Sequence, residues 1–261
     1  MSLLYQIYLN QFVLFTLVLV RVSGLIMTAP IFGGTEVPMR VRGLLAFTLS
    51  VLVMPLQWGR TAPEAGNLVN YAVLVVTELL VGVTLGFGVM LLVSGVQVTG
   101  QIISQLGGMQ LADVYNPGLD NNVPIFSQFF YYVTLAVFVI IGGHRKVMEA
   151  LLDTFAWLPP GQGVSDSVVD TLVSLLAQSF ELGIRAAAPA MVALLLATVV
   201  MGLVSRTLPQ LNVMVMGFGI NSFVSLGTLS VSLGAAAWLF QEQLDPMLQS
   251  LLETLRGVKT G

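Results

Sequence analysis

Cysteine is absent from this chain, and histidine occurs once, at His144. The first absence excludes disulfide frameworks, Cys-based zinc sites and thiol catalysis together, and leaves the redox compartment open. The second removes any pair of imidazoles for a transition metal, so no metal site and no cofactor are expected. His144 stands beside Arg145 and Lys146 and reads as a solvated loop histidine. Charge is scarce as well: Asp, Glu, Lys and Arg make up 9% of the residues, against roughly a quarter in soluble domains. Ten basic and thirteen acidic side chains cannot clothe 261 residues in a hydrated surface. With a formal net charge of -3 and scattered basic residues, no phosphate-binding patch exists, which excludes nucleic acid as the partner. Glycine-rich phosphate loops and nucleophile-elbow serines are missing too, so no catalytic residue is expected and the chain reads as non-enzymatic. No basic residue precedes the first apolar run, so Met1 to Asn10 does not read as a cleaved leader and that run is expected to be retained.

What the chain has is apolar length: 56% of its residues are hydrophobic. These fall into about six stretches near or above the ~18 residues that read as a membrane helix. The fold class is therefore an all-α membrane protein with about six long apolar helices or helical hairpins. The stretches are Phe12–Met27, Leu44–Leu56, Leu68–Val98, Ile125–Gly142, Val168–Val204 and Val213–Phe240. The second is short enough to be a buried helix or half a hairpin. The third carries Gly82-Val-Thr-Leu-Gly86, a small-xxx-small spacing that either lets two helix backbones approach or is glycine merely tolerated in an apolar helix. The fourth opens with Phe126, Phe129, Phe130, Tyr131 and Tyr132, an interfacial belt or a packing stripe. The fifth contains Pro189, expected to kink it. After the sixth, residues 241–261 place Leu244, Leu248, Leu251 and Leu255 at helical spacing. This predicts a separate amphipathic helix with Asp245 as N-cap and Pro246 in its first turn.

Ionisable groups inside apolar segments cost about 2.5–3.5 kcal/mol each at a helix centre, so Arg21, Glu78, Glu181 and Arg185 require an account. Glu181 and Arg185 lie four apart and pair locally, as a structural ion pair or as part of an ion path. Arg21 and Glu78 have no sequence-local partner, so each faces another helix, a neighbouring subunit or a wet cavity. Treating the stretches as alternating spans puts Arg60, Arg145, Lys146, Arg256 and Lys259 on one side and Arg40, Arg42 and Arg206 on the other. So weak an asymmetry is explained if some stretches bury against partner subunits rather than lipid. The linker from Gln101 to Pro124 is unusual: Gly107-Gly108, then Met109, Gln110 and Leu111, then Asn116-Pro117-Gly118. Its turn residues end any helix there. Apolar side chains on such a loop suit either a movable obstruction in a channel or an ordinary surface loop.

From Arg206 the sequence reads RTLPQLNVMVMGFGINSFVSLG, and it strongly resembles the signature of the FliR family of type III export proteins at Arg206, Pro209, Gln210, Asn212, Val213 and Gly217. The block RVSGLIMTAPIFGG, which spans Arg21, Gly24, Pro30, Gly33 and Gly34 and is followed by Pro38, Arg40 and Arg42, also looks like that family. So does the Gly107–Pro124 loop, and the resemblance covers essentially the whole chain as one domain, 1–261. One departure stands out: where many members have a proline and a nearby lysine, this chain has Gly219 and Asn221. The resemblance implies one copy in a helical export gate with several FliP and FliQ subunits, associated with FlhB and with FlhA and other export components. That gate lies in the flagellar basal body at the bacterial inner membrane, and unfolded flagellar proteins are its cargo. It further implies that Gly107, Gly108, Met109, Gln110 and Leu111 plug a central pore. A secondary transporter of a small solute is the alternative reading, although no convincing internal repeat or convergent ionisable cluster accompanies it.

Overall fold

The computed structural model describes residues 3–34, 37–60, 62–63, 67–108, 124–162, 167–208, 210 and 213–257. Among these residues the regular elements are all helical. They are α1 (Leu3–Thr28), α2 (Met39–Val53) with a 3₁₀ turn (Met54–Gln57), α3 (Leu68–Leu106), α4 (Ile125–Ile140), α5 (Gly143–Trp157), α6 (Ser167–Thr207) and α7 (Val213–Leu255). Five are long and apolar enough to cross a membrane, or six if α4 and α5 form one broken span. The all-α membrane class follows, with helices where the apolar stretches lie.

The chain forms two compact units. The first comprises Met1–Leu91, Gly142–Leu175 and Leu244–Gly261. Here Leu14, Leu17, Val18, Val22 and Leu25 of α1 are fully buried. Phe15 meets Phe47 of α2 edge to face at 5.7 Å, and the Thr16 and Tyr71 hydroxyls share a 2.7 Å hydrogen bond. Leu244, Leu248, Leu251 and Leu255 are buried. Lys146 pairs with Asp245 at 2.7 Å, and the Thr171 and Thr254 hydroxyls meet at 2.8 Å.

The second unit comprises Leu92–Ile141 and Leu176–Gln243. Its α3 segment lies so close to α6 that a Cβ on Gly95 would overlap the Ser179 carbonyl, and one on Gly183 the Gly95 carbonyl. Thr99 donates to the Gly183 carbonyl at 3.0 Å across the same contact. Ser127 donates to the Gln97 carbonyl at 3.0 Å at the start of α4. Phe138 and Phe240 pack edge to face at 6.3 Å.

Three sequence expectations are corrected. The linker does not begin at Gln101: α3 continues to Leu106, because only Gly107-Gly108 breaks a run of good helix formers, and Gly108 takes φ +73°. His144, Arg145 and Lys146 are not in a loop but form the first turn of α5, after Gly142 turns the chain with φ +71°. The tail is not a separate helix capped by Asp245. Instead α7 runs unbroken through Pro246, since Phe240, Leu244, Leu248, Leu251 and Leu255 form one continuous buried row. That burial outweighs the single backbone bond the proline forfeits. The expected leucine stripe is correct, and Gly257, with φ +76°, follows the helix end.

Candidate functional site

Two apolar helices each carry one buried charge, and the first unit joins them. Arg21 of α1 and Glu78 of α3 are both fully buried, and Arg21 Nε donates to Glu78 Oε2 at 2.6 Å. The guanidinium's Nη1 donates to Thr154 Oγ1 at 3.2 Å and to the Leu158 carbonyl at 3.0 Å. Its plane also lies over the Phe155 ring, 4.4 Å from the centroid. The second Glu78 oxygen accepts the Gly161 N–H at 2.7 Å. An arginine fork suits this role because its planar guanidinium spreads donors over separate nitrogens, Nε to the carboxylate and Nη1 to the hydroxyl and the carbonyl, while its face lies on the Phe155 ring. Burying two lone charges would cost several kcal/mol apiece, and mutual pairing with further hydrogen bonds offsets most of that.

Glycine makes the pairing reachable. A Cβ on Gly82 would overlap the Arg21 carbonyl, and one on Gly24 would sit 2.8 Å from the Leu79 carbonyl. One on Gly86 would overlap the Thr28 hydroxyl and sit 2.9 Å from the Ala29 nitrogen and the Leu25 carbonyl. The Gly82-xxx-Gly86 spacing is therefore a backbone-to-backbone contact, which settles the choice left open by the sequence.

Around that contact the remaining residues of the amino-terminal block shape the chain between α1 and α2. A Cβ on Gly33 would overlap the Met27 carbonyl, and the Gly33 N–H donates to Ala29 at 2.7 Å. Pro30 follows α1, and Pro38 precedes α2, its carbonyl accepting the Val41 N–H at 2.9 Å. Arg42 Nε donates to the Val37 carbonyl at 2.9 Å and its Nη2 to the Gly34 carbonyl, so one side chain of α2 holds two points of that connection.

At the end of α3, a Cβ on Gly107 would overlap the Ser225 hydroxyl, while one on Gly108 would lie 3.9 Å from the Phe218 ring. The glycine pair thus rests against α7, and Gly108, with φ +73°, leaves the helical conformation there. Met109, Gln110 and Leu111 lie outside the described residues. So do Pro209 and Asn212, between α6 and α7. Arg206 sits exposed in the last turn of α6, and Gln210 is exposed in the connection. Gly217 and Gly219 lie in α7, where an added Cβ would meet none of the described residues. The Asn221 Oδ1 is buried without a partner among the described residues. Glu181 and Arg185 form the expected i,i+4 pair at 2.5 Å, both more than half exposed.

Sequence reasoning missed the groups that complete the Arg21 site. They lie on α5 and the turn after it: Thr154 and Leu158 are 133 and 137 residues from Arg21, and Gly161 is 83 residues from Glu78. Arg60 was also missed: it donates to the Phe155 carbonyl at 2.9 Å, so two arginines cap the carboxyl end of α5 where cations complement the helix dipole. Pro159-Pro160-Gly161 was the available signal for a helix stop needing such a cap. Among the described residues no group of three His, Cys, Asp or Glu could hold a metal.

Long apolar helices, a neutralised ion pair inside them and backbone-close glycine contacts define an integral membrane protein built for helix packing. Residues 12–247 match the family described as bacterial export proteins, family 1, and the chain belongs to that family, the FliR family. Among its relatives, the flagellar biosynthetic protein FliR of Bacillus subtilis is 28% identical over 85% of this chain and 87% of its own length. The protein of the same name from Escherichia coli is 29% identical over 81% of each chain. That of Caulobacter vibrioides is 25% identical over 89% of this chain and 93% of its own. The chain is thus an export-apparatus component with membrane-spanning helices.

Proposed function

We propose that this chain is a non-enzymatic subunit of the flagellar type III export gate in the bacterial inner membrane, at the flagellar basal body. It lines and plugs the conduit through which unfolded flagellar proteins leave. FliP and FliQ are its partners in the gate, with FlhB, FlhA and other export components associated. Family membership over nearly the whole chain supports the export role. One structural observation carries the assembly reading: the most apolar windows of α6 and α7 are only 22% and 28% buried within the chain, against 67% for α3. Val192, Leu195, Leu196, Val199 and Leu203 stand exposed on α6. On α7, Phe223, Leu226, Val231 and Trp238 do the same. Along these surfaces Gly202, Gly227 and Gly234 face open space, although a glycine inside a helix costs about 0.5–1 kcal/mol relative to alanine. Close approach by a partner helix gives each of them a purpose.

The plug is the segment Gly107, Gly108, Met109, Gln110 and Leu111. Its glycines act as the hinge, and its apolar side chains close the passage by packing and dewetting, a seal that yields to any polypeptide. Arg206, Gln210 and Asn212 satisfy backbone or partner groups where α6 gives way to α7. Deleting residues 107–111 is expected to raise ion conductance of the assembled complex while leaving its yield unchanged; unaltered conductance overturns the plug. Purification tests the rest. The chain alone is expected to aggregate and to be recovered with FliP and FliQ, whereas a monodisperse protein that moves a solute unaided is a transporter.

A further inference from the structure

Arg21 is made long before anything that neutralises it. Its side-chain partners Glu78, Thr154 and Leu158 lie 57, 133 and 137 residues further along the chain. No acidic residue occurs in α1 or α2. Glu36 and Glu64 are the acids that precede Glu78, and neither belongs to an apolar stretch. The same turns of α3 that carry Glu78 also supply Leu79, Gly82 and Gly86, the backbone surface on which α1 packs most closely. Charge neutralisation and helix contact for α1 therefore arrive together, from one later helix. Each helix carries one charged residue, but the dependence runs one way, because α1, 26 residues long, is made first and α3, 39 residues long, meets an Arg21 that already exists.

We propose that α1 becomes seated across the membrane only when α3 presents Glu78, so that the two helices enter as a charge-matched pair and Glu78 acts as the licence for α1. The ion pair is then an assembly-order device as well as a packing contact. Before α3 is made, a lone guanidinium in hydrocarbon holds α1 at the interface. Afterwards the pair is neutral and the glycine contact closes over it. The inference stands whether or not the chain plugs a pore.

The absence of cysteine makes a clean test possible. In the full chain, expressed in bacterial cells, a lone thiol is introduced as Ser2→Cys. Its side of the membrane is read after a short metabolic pulse, before proteolysis, with a membrane-impermeant maleimide. The parent is expected to place the terminus on one side. Glu78→Leu is expected to raise the fraction on the wrong side roughly threefold or more, because Arg21 is left uncompensated. Arg21→Leu/Glu78→Leu is expected to return to the parent's distribution, although it also lacks the hydrogen bonds to Thr154, Leu158 and Gly161. Parent-like labelling of Glu78→Leu overturns the proposal. So does a double variant as misplaced as the single one, which would make the pair a packing contact alone.

Discussion

At the scale of single residues, Arg21 and Glu78 show how far a sequence can carry an argument about buried charge. Their apolar surroundings made an account of each obligatory, but the partner of each lies on a helix 57 residues away, and no local spacing records that. The folded chain answers with a fully buried 2.6 Å pair. Removing the carboxylate alone, Glu78→Leu, is expected to destabilise the first unit by about 3–5 kcal/mol, measured by denaturant unfolding in detergent, and the double leucine variant by distinctly less. Glycines divide in a similar way. Gly82→Ala is expected to disrupt α1 against α3, because the new methyl group meets the Arg21 backbone rather than a flexible side chain. Gly227→Ala is expected to stabilise α7 by about 0.5–1 kcal/mol in detergent unfolding, since no described residue comes within 4 Å of an added Cβ there, and yet to reduce recovery of the complex in a pull-down. Opposite signs for stability and assembly separate the two classes of glycine.

At the scale of elements, the helices were legible as apolar stretches and their ends were not. Composition hides the end of α3, because Gln101–Leu106 is polar enough to read as linker but contains no helix breaker; the break waits for Gly108 at φ +73°. Asp245-Pro246 carries a good local signal for a helix start, and tertiary burial of the leucine row overrides it. Freed from capping, Asp245 pairs with Lys146, and because both side chains are partly exposed, Lys146→Ala is expected to cost less than about 1 kcal/mol in thermal unfolding. Gly107→Val should do more: its side chain collides with the Ser225 hydroxyl and displaces the end of α3 from α7. Raised ion leakage with normal complex yield is the expected result, read as conductance in proteoliposomes.

At the scale of the whole molecule, the scarcity of charge pointed to burial in something other than water, and the weak sidedness of the arginines and lysines pointed beyond lipid alone. What the sequence could not apportion is which helices bury within the chain. α3 does so along most of its length, whereas α6 and α7 keep most of their apolar surface outward. A cysteine replacing Phe223 or Trp238, both more than 60% exposed in the chain, is expected to react readily in membranes of cells that express the chain without FliP and FliQ. The same thiols are expected to become protected once FliP and FliQ are co-expressed; equal reactivity in both states would argue for lipid as the neighbour.

Where α1 and α3 touch through Gly24 and Gly82, only backbone lies opposite each glycine, and at Gly86 the Thr28 hydroxyl joins the backbone of Ala29 and Leu25, so the notches leave little that can deform. Whatever shape changes accompany transport, these two helices must travel together like one blade, and the compliance has to reside elsewhere in the chain.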